Sequence, residues 1–243
     1  MSNAEKPFVA QHTVPQGVTA TRWWWVRHAP VRSDGGNIYG QKDMDCDCSD
    51  RVVFDAVGKI LPHNAVWVAS NLKRTHQTAE AIWATGFPRP TNMTQEGLFA
   101  EQNLGTLQGT NRNALLATLP VGRLWFSAVD EPAPGGESFM DLYNRTCTAI
   151  ERITATEAGR DVVAVAHGGT IRAAVALALG GLPERGLAFD IDNCSVTRLD
   201  HFANAERGVW RLPMVNQQPW IADAAHAAMH QPAGPEVVQS KLA

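Results

Sequence analysis

Two histidines of this chain stand where apolar segments end, a position from which an imidazole can act on phosphate. Arg27 and His28 directly follow the run Trp23-Trp24-Trp25-Val26. An imidazole at the end of a buried strand can attack phosphorus while a neighbouring guanidinium holds the phosphate oxygens. The pair therefore indicates phosphoryl transfer, although an Arg-His pair standing alone is more often a salt bridge at a strand end.

The second histidine, His167, ends the apolar run 162–166 and precedes Gly168 and Gly169. The two glycines open an alanine-rich helix, whose free N–H groups would point at an anion, with Gly168 as a candidate contact. A cationic His167 would stabilise charge on the phosphoryl oxygens in the transition state. A buried structural histidine is the alternative.

The segment 70–79 supplies a second arginine, Arg74, in the first turn of a predicted helix. Ser70 is the expected N-cap of that helix, with Asn71 a weaker candidate. A cation in the first turn opposes the helix dipole, and such exceptions to local rules cluster at functional sites. We expect Arg74, like Arg27, to grip phosphate oxygens with paired hydrogen bonds. A solvent-exposed basic turn is the alternative.

A single acidic side chain, Glu101, precedes two glycines, Gly105 and Gly109, that indicate a tightly turning loop. The apolar residues 98–100 would partly bury this carboxyl, which suits a general acid that protonates a departing alkoxide and then activates water. An exposed loop glutamate is the alternative. We predict a reaction with no metal and no cofactor, because residues 43–50 resemble an acidic loop more than a cation cage.

Composition restricts the class of partner. The chain has 243 residues, 44% of them hydrophobic, a formal net charge of −3 and a pI near 6.2. These values give no reason to expect nucleic acid or an anionic membrane as partner, and no apolar run reaches the roughly 18 residues of a membrane span. Four cysteines are too few for a disulfide scaffold, so we expect reduced thiols in a cytoplasmic protein.

Strand and helix patterns alternate along the chain, which predicts an α/β fold. Short apolar runs predict strands at 21–27, 65–69, 162–166 and 194–200, and helical spacing predicts helices near 50–61, 71–84, 111–119, 137–157 and 169–179. The expected architecture is a three-layer sandwich with a mainly parallel central sheet and helices on both faces. In such sheets ligands bind beyond the carboxyl ends of the strands, where the histidines lie.

The predicted domain boundaries follow changes in composition. Residues 1–20 are predicted to be a flexible N-terminal arm, 21–212 the catalytic domain with a cap-like insertion at about 110–136, and 213–243 a C-terminal tail. The tail includes an alanine-rich stretch, 222–229, that could form a short helix. The composition favours a disordered tail, with packing against a neighbouring subunit as the alternative.

Taken in order, these segments resemble the histidine phosphatase superfamily, which includes phosphoglycerate mutases and α-ribazole phosphatases. The resemblance rests on Arg27-His28-Ala29, residues 70–79, residues 101–109 and His167-Gly168-Gly169. It implies that His28 is the nucleophile, that Glu101 is the acid and that Arg27, Arg74 and His167 surround the phosphate; it also implies a homodimer. Ala29 departs from the family's usual glycine, and the loop 32–41 departs from the mutase pattern.

That divergent loop offers Asn37, Tyr39 and Gly40 as candidate substrate contacts. Mutases of the family carry an Arg-Arg pair where this chain reads Leu124-Trp125-Phe126-Ser127, and the aromatic pair suggests a wall for a less charged leaving group, or simply a helix core. We therefore predict hydrolysis of a small-molecule phosphate ester of unspecified identity. There are two alternatives. One is mutase-type transfer, in which Arg112 could bind an anionic group of the substrate. The other is a non-catalytic phosphate-binding regulatory protein.

Overall fold

The computed structural model describes residues 14, 16–119, 127–204 and 208–221. Its strands are β1 (Thr19–Arg27), β2 (Val66–Ala69), β3 (Met93–Gln95), β4 (Asp161–Ala166), β5 (Val196–Ala203) and β6 (Gly208–Gln217). Its α-helices are α1 (Arg51–Ile60), α2 (Lys73–Trp83), α3 (Arg112–Leu116), α4 (Phe139–Thr156), α5 (Gly168–Ala178) and α6 (Pro183–Gly186). Among these, no helix is of a length and apolarity that would let it cross a bilayer.

The strands form one mixed sheet in the order β3-β2-β4-β1-β5-β6. The first four are parallel, whereas β5 is antiparallel to both of its neighbours. Arg27 pairs with Ala166 across β1 and β4, and Ala69 pairs with Val165 across β2 and β4. This register brings the residues that follow three neighbouring strands to one edge of the sheet.

Alternation along β1 divides the core into two halves. Trp23 and Trp25 are fully buried on the face covered by α4 and α5. Trp24 and Val26 point to the opposite face, where α1 and α2 pack. Burying such a side chain contributes on the order of 1.5–3 kcal/mol, so both faces need a helical cover. The predicted three-layer sandwich with a mainly parallel sheet is confirmed.

The boundaries differ from the predictions in two places. β6 runs to Gln217, so the predicted end of the domain at residue 212 falls inside a strand. The sequence hides this strand because Pro213 interrupts it, and β6 tolerates the proline as the edge strand of the sheet. At the other end, β1 begins at Thr19, within the predicted arm.

Several predictions fall outside the described residues. These are most of the arm, the aromatic pair at 125–126 in the predicted cap, and the tail stretch 222–229. In the rest of the predicted cap, the structure places the short helix α3 and the loop that leads into α4.

Candidate active site

His28 and His167 lie side by side at the carboxyl edge of the sheet. Their ring centroids are 5.1 Å apart, and both side chains are buried. The backbone explains this closeness, because β1 and β4 are adjacent and the His28 N–H donates to Ala166 O over 2.9 Å. The two apolar runs singled out in the sequence thus deliver their terminal histidines to one place.

The His28 ring is fixed in one tautomer. Its Nδ1 lies 2.7 Å from Ala29 O. A carbonyl only accepts, so Nδ1 must carry the proton, which leaves the lone pair on Nε2. Among the residues that the structure describes, Nε2 has no hydrogen-bond partner. Burial above all, followed by the positive charges of Arg27 and Arg74, holds the pKa of His28 well below its usual value.

His167 is held in the opposite tautomer. Its Nδ1 accepts a hydrogen bond from Arg74 Nε at 3.3 Å, and its Nε2 lies 2.7 Å from the Ser70 hydroxyl. Nε2 therefore carries the proton. Burial, then the charge of Arg74 and the neighbouring His28, lowers the pKa of His167 well below its usual value. From the sequence we considered His167 as a cation, whereas the lowered pKa favours the neutral ring.

Ser70 serves the site rather than the helix end. Helix α2 begins at Lys73, and its N-cap is Leu72, which provides no side-chain hydrogen bond. The predicted cap at Ser70 or Asn71 is therefore wrong. The Ser70 hydroxyl instead accepts from the Leu72 N–H at 3.2 Å and contacts His167, which places it between the first turn of α2 and the second imidazole.

Arg74 is completely buried, and protein atoms engage its guanidinium. Besides its bond to His167, Nη1 donates to Lys42 O and Nη2 donates to Gly40 O, each at 2.8 Å. The Tyr39 ring lies 5.1 Å from the guanidinium carbon. Arg74 thus ties the loop after β1 to the second histidine. Within the described residues these bonds use three of the five N–H groups of the guanidinium, so one N–H on Nη1 and one on Nη2 remain for phosphate oxygens.

Arg27 differs from Arg74 in having a buried side-chain nitrogen with no hydrogen-bond partner among the described residues. Its Nη1 donates to Ile191 O. Its Nε is buried without a hydrogen-bond partner in the described part of the chain. A buried, unpaired guanidinium N–H is costly, so an anion beside it would be stabilised strongly.

Glu101 is positioned by contacts from three sides. Its Oε1 accepts from the Gln102 N–H at 2.8 Å, and its Oε2 accepts from the Gly169 N–H at 3.3 Å. Its main-chain carbonyl accepts from Gln41 Nε2 at 2.8 Å and from Arg145 Nη2 at 3.0 Å. The carboxyl therefore stands at the N-terminus of α5, next to His167.

An open cavity of about 450 Å³ lies over these groups. The predicted site residues that line it are Arg27, Tyr39, Gly40, Glu101 and Gly168. Three others, His28, Arg74 and His167, are buried and do not line it. Tyr39 lines the cavity and also contacts one of them, since its ring meets that of His28 edge-on with 6.3 Å between centroids. Of the three predicted substrate contacts in the loop after β1, Asn37 alone does not line the cavity. Its backbone pairs with that of Asn111.

Further polar residues of the cavity were not assigned a role from sequence: Asp34, Arg172 and Asn193. Arg172 could have been found, because it follows Gly168 by four residues and therefore faces the same side of α5. Burial, then the nearby charge of Arg27, lowers the pKa of Arg172. Asn193 donates from Nδ2 to His28 O at 2.7 Å, a contact that no sequence pattern announces.

Arg112 completes the positive lining of the cavity. Its Nη2 donates to Asp34 Oδ2 at 3.3 Å and to Asn37 O at 3.2 Å. Three arginines, Arg27, Arg112 and Arg172, thus face a cavity whose acidic residues are Asp34 and Glu101. Across the described residues, no three His, Cys, Asp or Glu side chains cluster as metal ligands would.

Two curated relatives match the chain over different lengths. A glucosyl-3-phosphoglycerate phosphatase of Mycolicibacterium vanbaalenii is 29% identical over 219 residues, which covers 82% of this chain and 95% of that protein. Phosphoglycerate mutase-like protein 4 of Arabidopsis thaliana is 37% identical over 108 residues, or 43% of this chain. This second match spans less than half, 46%, of the plant protein.

The fold has counterparts among solved structures. A mycobacterial glucosyl-3-phosphoglycerate phosphatase superposes with a TM-score of 0.67 at 27% identity, over 81% of this chain and 99% of that one. A sequence model of the histidine phosphatase superfamily (branch 1) matches residues 23–216, the stretch that holds both histidines, Arg27, Arg74 and Glu101. The chain belongs to the histidine phosphatase superfamily.

Proposed function

We propose that this phosphoric monoester hydrolase acts on a small phosphorylated metabolite through a phosphohistidine on His28, with no metal ion in the reaction. One observation carries the proposal above the others. His28 keeps the Nε2 lone pair available, because Nδ1 is committed to Ala29 O and the pKa of the ring is depressed. A neutral imidazole at the end of a buried strand is a nucleophile ready at neutral pH.

The first half of the proposed reaction moves the phosphoryl group to the enzyme. Nε2 of His28 attacks phosphorus, and the bond to the leaving alkoxide breaks. The unpaired Nε–H of Arg27 and the Gly168 N–H at the start of α5 are suited to hold the phosphoryl oxygens, whereas the Gly169 N–H is bonded to Glu101. Glu101, in its protonated form, gives its proton to the departing oxygen.

The second half releases phosphate. Glu101, now a carboxylate at the N-terminus of α5, takes a proton from a water molecule. The oxygen of that water attacks the phosphorus of the phosphohistidine. The P–N bond breaks, and His28 returns to its neutral form. Its bond to Ala29 O holds the ring orientation throughout. Arg74 acts in this scheme through its charge and through His167, whose proton it keeps on Nε2.

The lining of the cavity narrows the substrate class. The cavity is lined by three arginines, Arg27, Arg112 and Arg172, but by only two carboxylates, those of Asp34 and Glu101. We infer that the leaving group carries a second anionic group, as the name of the mycobacterial relative, a phosphatase of a phosphoglycerate derivative, also suggests. This replaces the less charged leaving group that Trp125 and Phe126 suggested. A panel of phosphomonoesters with and without a carboxylate tests it, and equal kcat/KM for matched pairs would contradict it.

Mutase-type transfer is the second candidate, because Arg112 could bind a substrate carboxylate and the plant relative is named phosphoglycerate mutase-like. A mutase must keep water from the phosphohistidine. An isomerisation assay primed with 2,3-bisphosphoglycerate separates the two functions. We expect release of inorganic phosphate to exceed isomerisation, and the reverse ratio would assign the mutase function.

Hydrolysis of p-nitrophenyl phosphate tests the core of the proposal. We expect His28→Ala to reduce kcat by roughly 10³-fold or more, since the covalent route is lost. His63→Ala is the matched control, because His63 is exposed, packs on Phe87 and does not line the cavity. Activity in EDTA should equal activity without it, and acid-labile phosphate should be trapped on wild type and not on His28→Ala. Phosphate binding without turnover would instead identify a regulatory binding protein.

A further inference from the structure

Two cysteines outside the cavity lie in contact with each other. Cys46 and Cys48 belong to the loop between β1 and α1, and their sulfur atoms are 3.5 Å apart. Both are partly exposed free thiols. They line an open depression of about 600 Å³ beside α2, which also includes Lys73 and His76. A small solute can therefore reach the pair from solvent.

We propose that Cys46 and Cys48 form a redox-active dithiol, which a hydroperoxide oxidises to an intramolecular disulfide and a thiol reductant restores. The oxidation itself does not depend on the phosphatase reaction, whereas its effect on activity rests on the proposed function. Its basis is the direct contact of two accessible sulfurs and the attachment of their loop to Arg74.

The two thiols are differentiated in the way that such a pair requires. A hydrogen bond from the Cys48 thiol lowers the pKa of Cys46 to about 7, with a further contribution from Thr78, while burial acts in the opposite direction. The bond to Cys46 raises the pKa of Cys48. Cys46 is therefore the thiolate that attacks the oxidant, and Cys48 is the thiol that resolves the product.

The other two cysteines do not share this character. Burial raises the pKa of Cys147 to about 11 and that of Cys194 to about 12. Both side chains are buried. A thiol that is protonated and shielded from solvent reacts slowly with peroxide. Oxidation is thus expected to be selective for the loop pair.

The proposed chemistry balances in two steps. The Cys46 thiolate attacks one oxygen of the hydroperoxide, the O–O bond breaks, and Cys46 becomes a sulfenic acid while hydroxide or alkoxide leaves. The Cys48 sulfur then attacks the Cys46 sulfur, and the displaced hydroxide takes up the Cys48 proton and leaves as water. The two thiols lose two electrons in total, and the peroxide gains them.

Closing the bond requires local movement. The sulfurs must approach from 3.5 Å to the disulfide length of about 2.05 Å. The ring that results spans only Asp47, and disulfides in strained, exposed positions are readily reduced. The disulfide is therefore suited to reversible modification rather than to permanent cross-linking.

The same loop is bonded to the base of the active site. The Cys46 thiol donates to Arg74 O at 3.3 Å, and the Cys46 N–H donates to Gln77 Oε1 at 3.0 Å. A few residues earlier, Gly40 and Lys42 hold the Arg74 guanidinium through their carbonyls. Formation of the disulfide draws Cys46 toward Cys48 and shifts the loop, so it should disturb Arg74 and lower phosphatase kcat.

Peptide mapping of the folded protein tests the modification itself. After treatment with hydrogen peroxide, unreacted thiols are alkylated, and the protein is digested with trypsin without reduction. Cys46 and Cys48 fall in one tryptic peptide, residues 43–51. We expect that peptide to lose the mass of two hydrogens and to escape alkylation, while Cys147 and Cys194 remain alkylated. A cross-link to Cys194, or alkylation of both loop thiols, would overturn the proposal.

Variants assign the order of events and the consequence for activity. In Cys48→Ser, dimedone should trap a sulfenic acid on Cys46, whereas Cys46→Ser should form none. Cys147→Ser, on the buried face of α4, is the matched control and should oxidise as wild type does. Hydrolysis of p-nitrophenyl phosphate should fall several-fold on oxidation and recover with dithiothreitol in wild type and in Cys147→Ser. Equal peroxide sensitivity of activity in Cys46→Ser would contradict the coupling to Arg74.

Discussion

Arg74 donates its Nε–H to Nδ1 of His167 over 3.3 Å, so that a buried cation dictates where the second histidine carries its proton. The same guanidinium supports the loop after β1 through Gly40 O and Lys42 O. One side chain in the first turn of α2 therefore links the imidazole of His167 to the loop that forms a wall of the cavity. Few side chains other than arginine offer donors in so many directions.

Arg74→Lys should damage both activity and stability. A lysine keeps the charge, but its single ammonium cannot reach His167 Nδ1 and both loop carbonyls together. Each buried carbonyl left unpaired costs about 1–3 kcal/mol. We expect kcat on p-nitrophenyl phosphate to fall by about 10²-fold and Tm to decrease.

The control for this substitution is Arg89→Lys, in which an exposed arginine paired with Glu80 is changed in the same way. Calorimetry and steady-state kinetics on both variants make the comparison. If Arg74→Lys kept the kcat and Tm of Arg89→Lys, neither the hydrogen bonds to the loop nor the tautomer of His167 would be needed for activity.

Glu101→Gln should discriminate between leaving groups. Loss of a general acid costs about 10²–10⁴-fold when the leaving oxygen is a strongly basic alkoxide. The p-nitrophenolate ion leaves without protonation, so phosphorylation of the enzyme should be much less affected for that substrate. Pre-steady-state measurement of the first p-nitrophenol burst, compared with turnover of an alkyl phosphate, reads out the difference.

Glu157→Gln, on the surface beside Arg160, is the matched control and should alter neither substrate. If Glu101→Gln lowered the rates on the aryl and alkyl substrates equally, Glu101 would not be the general acid and would have only a structural role at the start of α5.

The two buried histidines should make stability depend on pH below neutrality. The pKa of each is lowered in the folded protein from about 6.5. As pH falls below about 6.5, the unfolded chain takes up these protons and the folded chain does not, so the free energy of unfolding decreases. Above that pH both states are neutral at these sites and the contribution is fully present. Each histidine adds at most about 1.4 kcal/mol per pH unit.

Urea unfolding of wild type and His28→Asn between pH 7 and 5 measures this contribution. The free energy of unfolding of the variant should fall less steeply with decreasing pH, because up to one fewer proton is taken up on unfolding. His63→Asn, at an exposed position, should retain the wild-type slope. A slope for His28→Asn that equals that of wild type would show that His28 takes up its proton in the folded protein as readily as in the unfolded chain.

The sequence predicted the strands that carry the chemistry better than the hydrogen bonds around it. Apolar runs of β1 and β4 are easy to recognise, and parallel pairing then forces His28 and His167 together. The use of Arg74 could not be predicted, because its carbonyl partners lie some thirty residues earlier in a loop without periodicity. Ser70 was assigned to the helix end by a local rule, but tertiary contact with His167 prevails over it.

Gly169→Ala should misplace Glu101, the proposed general acid, while leaving His28 in position. A Cβ at residue 169 would lie 2.3 Å from Glu101 Oε1 and 2.9 Å from Leu142 Cδ2, so the carboxyl has to move. Displacement of a reacting group by about 1 Å can cost about 10²-fold in rate. The loss should be larger for an alkyl phosphate than for p-nitrophenyl phosphate, because only the former needs the proton.

Gly97→Ala, where a Cβ would meet nothing within 4 Å, is the control and should keep wild-type kinetics with both substrates. A Gly169→Ala enzyme with unchanged turnover of the alkyl substrate would mean that Glu101 works from a position other than the one bonded to the Gly169 N–H.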